Sequence, residues 1–232
     1  YSPRLARYTY MTGSVIRIGY LPKGIEKSTS YNMPSYEPEK PMHEVERVFN
    51  LLSTLGIDGI PDKLRVFPKQ TEIQKVKELL NERGFFALAQ NDNKGKNIVL
   101  IAFHISSRKP ENRWSPDNFI KLAKLITNKY NAEILLLWSP GSKKNPYHPG
   151  DDEKAEFMLK SFPQLIPYKT KKLSELIAAL TLVDFVVCLD GGAMHIAAAL
   201  DKPIVTVWGA TDQIRWKPWG VKHIILQDGT KK

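Results

Sequence analysis

Residues 190–195 read DGGAMH, set between the apolar run Phe185 to Leu189 and the alanine-rich stretch Ala193 to Leu200. Such an order places a turn where a strand ends and a helix begins. The first turn of a helix carries unpaired N–H groups and the positive end of its dipole, so it attracts oxyanions. Glycine there lets a ligand approach the backbone closely. Asp190, Gly191 and Gly192 are therefore candidate phosphate contacts, with His195 close enough to add a hydrogen bond or a charge. The plainer alternative is a tight turn with a capping aspartate and a packed histidine.

A second turn has the same character. Phe103-His104-Ile105-Ser106-Ser107-Arg108 ends another apolar run, and Arg113-Trp114 comes just before the next helical pattern. Two hydroxyls and several cations after a strand suit an oxyanion, although a polar loop ending in an N-cap reads the same way. Two such turns in one domain favour a nucleotide diphosphate.

These turns need strands and helices to hold them. From residue 97 the pattern is regular: strands at 97–105, 132–138, 165–167, 185–189 and 204–208, and helices at 115–130, 151–162, 173–182 and 193–200. Ser115-Pro116 supplies a cap followed by proline at the first turn. Alternating strands and helices imply a parallel sheet covered on both faces. The earlier chain is less periodic. It reads as a short strand at 17–20, a long loop over 22–41, a helix over 42–55 stopped by Gly56, a strand at 64–67 and a helix over 71–83. Residues 90–96 read as a linker.

The composition bounds the reading further. The 232 residues contain 42% hydrophobic and 25% charged side chains, the balance of a globular chain. No apolar run reaches membrane-spanning length, and no leader pattern opens the chain. One cysteine, Cys188, excludes a disulfide scaffold and fits a reducing compartment. The net charge of +10 suits an anionic partner. Clusters such as Lys143-Lys144 and Lys169 to Lys172 read as solvated faces. No zinc-finger spacing, RNA-binding signature or basic helix appears, so nucleic acid is not expected. No His/Cys/Asp cluster has metal-ligand spacing.

The stretch VVCLDGGAMHIAAALDKPIVTVWGATD resembles the signature of glycosyltransferase family 9, the bacterial heptosyltransferases. FHISSRKPENRWSPDNFIKLAKLI is similar to that family's other hallmark, a hydroxyl pair after a strand and then a Trp before a helix. The resemblance implies an α/β fold of the GT-B type, with two Rossmann-like domains and parallel sheets, the N-terminal one incomplete. It divides the chain into an acceptor-side domain with linker at 1–95 and a nucleotide-sugar domain at 96–232. It implies an inverting, metal-independent enzyme without a cofactor, moving a heptose from an ADP-sugar donor to an anionic lipopolysaccharide precursor. A cytoplasmic protein, peripheral on the inner membrane, is implied with it. By the resemblance Ser106 and Ser107 meet the donor phosphates, with Arg113 supplying charge. Glu153 (or Asp152) meets the ribose, Leu173 the adenine, and Asp190, Gly191, Gly192 and His195 hold the donor. Gly191 departs from the usual Ser or Thr, Ala193 from Pro, and Asn112 from a basic residue. The family's acceptor-side Asp base has no counterpart in these residues, so no catalytic residue is assigned. The alternative is a non-catalytic nucleotide-binding or assembly protein derived from the family.

Overall fold

The computed structural model describes residues 2–85, 98–145 and 149–227. The expected linker at 90–96 lies outside them. The chain forms two compact units, Tyr1–Asp62 with Asp212–Lys217, and Lys63–Thr211 with Pro218–Lys232.

The first unit carries α1 (Pro3–Met11), β1 (Ile18–Leu21), β2 (Met33–Tyr36) and α2 (Glu44–Phe49). Strands β1 and β2 pair in parallel, so the expected loop over 22–41 contains a strand. The expected helix over 42–55 is shorter as an α-helix. His43 caps α2, with Glu46 reaching back to the cap N–H, and the chain tightens into a 3-10 helix over Asn50–Leu55. Gly56 ends it in the left-handed region at φ 73°. A four-residue helix, Gln213–Trp216, belongs to this unit: Arg215 Nε donates to Glu44 Oε2 at 2.7 Å, and His43 Nε2 meets the Lys217 carbonyl at 2.8 Å.

The second unit opens with α3 (Gln70–Glu82) and continues β3 (Val99–His104), α4 (Pro116–Lys129), β4 (Ala132–Trp138), α5 (Asp152–Ser161) and β5 (Ile166–Lys169). It then runs α6 (Leu173–Leu182), β6 (Phe185–Leu189), α7 (Gly192–Ala199) and β7 (Ile204–Trp208). After the 213–216 helix, here α8, β8 (His223–Gln227) returns to it. Residues 64–67 form no strand. Ile73, Val76 and Leu80 of α3, ahead of the expected division at 95/96, bury with Leu176, Ala179 and Leu180 of α6.

All six strands are parallel, in the order β5-β4-β3-β6-β7-β8. Starting from β3, this is the 3-2-1-4-5-6 order of the Rossmann fold. Side chains alternate across each strand. Leu100, Ala102, Leu135, Leu137, Val186 and Cys188 pack on one face with α3, α6 and α7. Ile101, Phe103, Ile134, Leu136, Val187 and Leu189 pack on the other with Phe119 of α4 and Met158 of α5. Both faces are covered, which is why the strands read as continuous apolar runs. Cys188 is fully buried, and burial pushes its thiol up to about 12.

Phe103 is fully buried against the Phe119 ring at a centroid distance of 5.8 Å. Phe103→Ala is expected to cost about 3–5 kcal/mol, from lost transfer energy plus a cavity. Chemical denaturation checks it; a loss under 1 kcal/mol would show that this core collapses around the gap.

Candidate functional site

In the β5-β4-β3-β6-β7-β8 order the chain leaves β3 toward β4 and later returns to β3's other side as β6. The segments following β3 and β6 therefore diverge toward opposite faces, as α4 and α7 do. The crevice beyond the carboxyl ends of such strands is where open α/β sheets bind ligands. Both turns singled out in the sequence lie there, Ser106 to Trp114 after β3 and Asp190 to Gly192 after β6.

The turns are bonded together. Asp190 Oδ2 accepts from Asn112 Nδ2 at 2.6 Å and from Thr211 Oγ1 at 2.6 Å. Asn112 Oδ1 accepts from Gly209 N–H at 3.0 Å. Ser107 Oγ donates to the Asp190 carbonyl at 3.3 Å. Gln227 Nε2, at the end of β8, donates to the carbonyls of Gly209 and Thr211 at 2.6 and 3.1 Å. Side chains and backbone from the ends of four strands thus close on one another. Asn112 is buried at the centre. Gly209 is required by close approach: a Cβ there would overlap the Glu111 carbonyl and fall 2.6 Å from Asn112 Oδ1.

Asp190 is therefore not the helix cap that its position suggests. Its carboxylate faces the neighbouring turns, and Gly191 occupies the N-cap of α7 with no side-chain bond to the helix. At Gly191 and Gly192 an added Cβ would meet nothing within 4 Å. Packing does not demand these glycines; they leave the start of α7 open. His195 stands in the first turn of α7, partly buried.

The turn after β3 is braced from below. Ser106 Oγ accepts from Ser139 N–H at 2.9 Å, which leaves its own O–H to donate. Ser107 is buried. Arg113 Nε donates to the Ser107 carbonyl at 2.8 Å, leaving the terminal nitrogens of the guanidinium beyond that bond. Arg108 and Lys109 are exposed. Lys154 of α5 donates from Nζ to the carbonyls of Ile105 and Trp114 at 3.0 and 2.8 Å. Its ammonium lies 4.9 Å from the Phe119 ring centroid, and Trp114 meets the same ring edge-on at 4.8 Å. Burial lowers the Lys154 pKa to about 8, against an upward pull from Asp151.

The remaining predicted contacts stand apart from this clamp. Glu153 is exposed; its carboxylate accepts from Ser142 Oγ at 2.6 Å and Lys143 N–H at 3.2 Å, and the serine bond lowers its pKa. Asp152 is taken up by Trp138 Nε1 at 2.8 Å, Gly141 N–H at 3.0 Å and Lys169 Nζ at 3.0 Å. Leu173 opens α6 and is 64% exposed. Asn112, Thr211 and Lys154 were not among the candidates. The first two sat in the quoted motifs; a lysine on an amphipathic helix gave no signal.

Glycosyltransferase family 9 (heptosyltransferase) matches residues 4–232, nearly the whole chain. The chain belongs to this family. Lipopolysaccharide heptosyltransferase 1 of Escherichia coli K12 is 24% identical over 165 residues, covering 65% of this chain and 48% of that protein. The chain thus spans about half the length of the curated relatives it matches. The solved structure of E. coli ADP-heptose lps heptosyltransferase II aligns with a TM-score of 0.70 at 19% identity, covering 99% of this chain and 67% of that one. E. coli heptosyltransferase WaaC with ADP aligns at 0.61 and 20% identity, covering 85% and 54%. The fold is the α/β GT-B type of these glycosyltransferases, and its parallel sheets agree with the sequence reading.

Two outcomes test the geometry. Asn112→Ala strips the clamp of a buried donor and acceptor and is expected to cost about 2 kcal/mol in denaturant unfolding. His104 is buried, and burial lowers its pKa to about 4 from 6.5, helped by the Lys154 charge. Between those values the unfolded chain takes a proton that the folded chain refuses. Stability therefore falls as pH drops through 6.5 toward 4, by up to about 3 kcal/mol from this group. Comparing unfolding of the wild type and His104→Asn at pH 7 and 4.5 should show a shallower loss in the variant.

Proposed function

We propose that the second unit holds the donor of a glycosyltransferase that moves a heptose from an ADP-activated sugar to a lipopolysaccharide core acceptor. One observation carries the reading: at the switch point of a Rossmann-ordered sheet, an open glycine start of α7 is bonded to a loop bearing Ser106, Ser107 and Arg113. Supporting it, a family relative was solved with ADP.

In this reading the diphosphate lies against the first turn of α7, where the N–H groups of Gly191 and Gly192 and the helix dipole meet it. Ser106 donates its O–H and Arg113 its remaining N–H groups. Ser107 holds the two turns together rather than offering a free hydroxyl. Asp190 contributes by orienting Gly191 and Gly192, and His195 stands beside the phosphates. Leu173 and Glu153 lie at the ends of β5 and β4, on the adenosine side. An acceptor hydroxyl attacks the anomeric carbon as the bond from that carbon to the phosphate oxygen breaks. ADP leaves with the electron pair, the acceptor proton passes to a base, and the configuration inverts. Charge growing on the leaving diphosphate is met by preorganised donors and a cation. The same groups perform the work of a divalent ion, so the reading needs no metal. The acceptor is anionic and sits at a membrane, which the net charge of +10 suits.

Gly192→Val should fold normally, since its side chain enters open space, yet block the diphosphate and weaken ADP binding by tenfold or more, roughly 1.4 kcal/mol or above. Titration calorimetry decides this; unchanged affinity in a folded variant would sink the proposal. Alanine at Ser106 or Arg113 should each weaken ADP by about 1–3 kcal/mol. ADP binding should survive EDTA, and a strict need for magnesium or manganese would contradict the charge assignment.

A further inference from the structure

We infer that Lys154 is a positioning residue for the donor phosphates: its ammonium fastens both ends of the 105–114 loop and so fixes where Ser106 and Arg113 stand. The inference rests on the donor site proposed above.

The geometry is unusual for a lysine. Its Nζ bonds the Ile105 carbonyl at 3.0 Å and the Trp114 carbonyl at 2.8 Å, the residues that open and close the loop. Lys154 comes from α5, in the next strand–helix unit, so the fastening crosses from one unit to another. The Phe119 ring at 4.9 Å provides a second favourable surface for the cation. None of the ion pairs among the described residues uses Lys154. Its ammonium is turned toward the loop, and the nearby Asp151 carboxylate favours its charge from a distance.

A neutral donor could bridge the two carbonyls at a lower desolvation cost, and Asp151 offsets only part of that cost, since the Lys154 pKa still falls to about 8. The charge has a use if an anion arrives. Arg113 of this loop lines the same cavity as Lys154 and Asp151, and its positive charge opposes that of Lys154 less strongly than Asp151 favours it. A polyanion drawn between the two cations would relieve that opposition. The diphosphate is such an anion, and Lys154 would act on it through the loop and through the field.

Lys154→Met tests this, since it keeps the aliphatic stem over Phe119 and removes three donors and the charge. ADP and adenosine are titrated separately into the wild type and the variant. Loss of loop position should weaken ADP roughly tenfold or more while leaving adenosine unchanged. Lys154→Arg, which keeps the charge and can still reach both carbonyls, should recover most of the ADP affinity. Should the methionine variant fail to fold, Lys154→Gln gives the same comparison with one amide donor retained. Equal weakening of ADP and adenosine would show a general structural role and overturn the inference, as would unchanged ADP binding. A wild type that ignores ADP would instead overturn the donor site itself, and this role with it.

Discussion

The Asp190 carboxylate, bonded to Asn112 and Thr211, is the contact on which the crevice depends. Strand ends in a parallel sheet have no intrinsic reason to converge, since each connects to a helix on one face or the other. Here one carboxylate oxygen accepts two short bonds and thereby ties the loops after β3, β6 and β7. Asn112 passes the constraint on to the Gly209 backbone, and Gly209 admits no side chain at that approach. The open start of α7 is left where it is because its neighbour Asp190 is used elsewhere. Gly191 at φ 159° and ψ −170° holds a backbone conformation that a side chain would strain, so the glycine shapes the turn as well as leaving it open.

Much of the fold was legible in the sequence, for a physical reason. Strands buried on both faces must be apolar throughout, and the helices between them must show one apolar stripe. The strands 132–138, 185–189 and 204–208 follow residue for residue. Where burial is partial, the pattern failed. Strand β8 at the sheet edge alternates weakly, with Ile224 and Leu226 exposed, and was not expected. Met33 to Tyr36 includes Pro34 and hid as loop. Leu64 to Phe67 carries strand-forming side chains yet forms no strand, and Phe67 is 84% exposed.

The site was legible as a place more than as a set of contacts. Glycines and hydroxyls at strand ends located both turns. What Asp190 and Asn112 do there depends on partners 21 to 99 positions away in the chain. Asp190 reads as a ligand or a cap in the sequence, and in the structure its Oδ2 also ties Asn112 to Thr211. Asn112 looked like the loss of a cation and is the hub that joins three turns. A sequence pattern records which groups are present at a turn; it does not record which of them already have partners.

The single thiol has a consequence of a different kind. Cys188 lies in the middle strand pair of the six-stranded sheet, fully buried, with its proton held to about pH 12. Only the thiolate attacks an alkylating reagent, and only when the reagent can reach the sulfur. In the native molecule neither condition is met, so alkylation must wait for the sheet to part. The rate at which Cys188 becomes labelled is then a clock for opening of this domain's core, read without adding a probe to the chain.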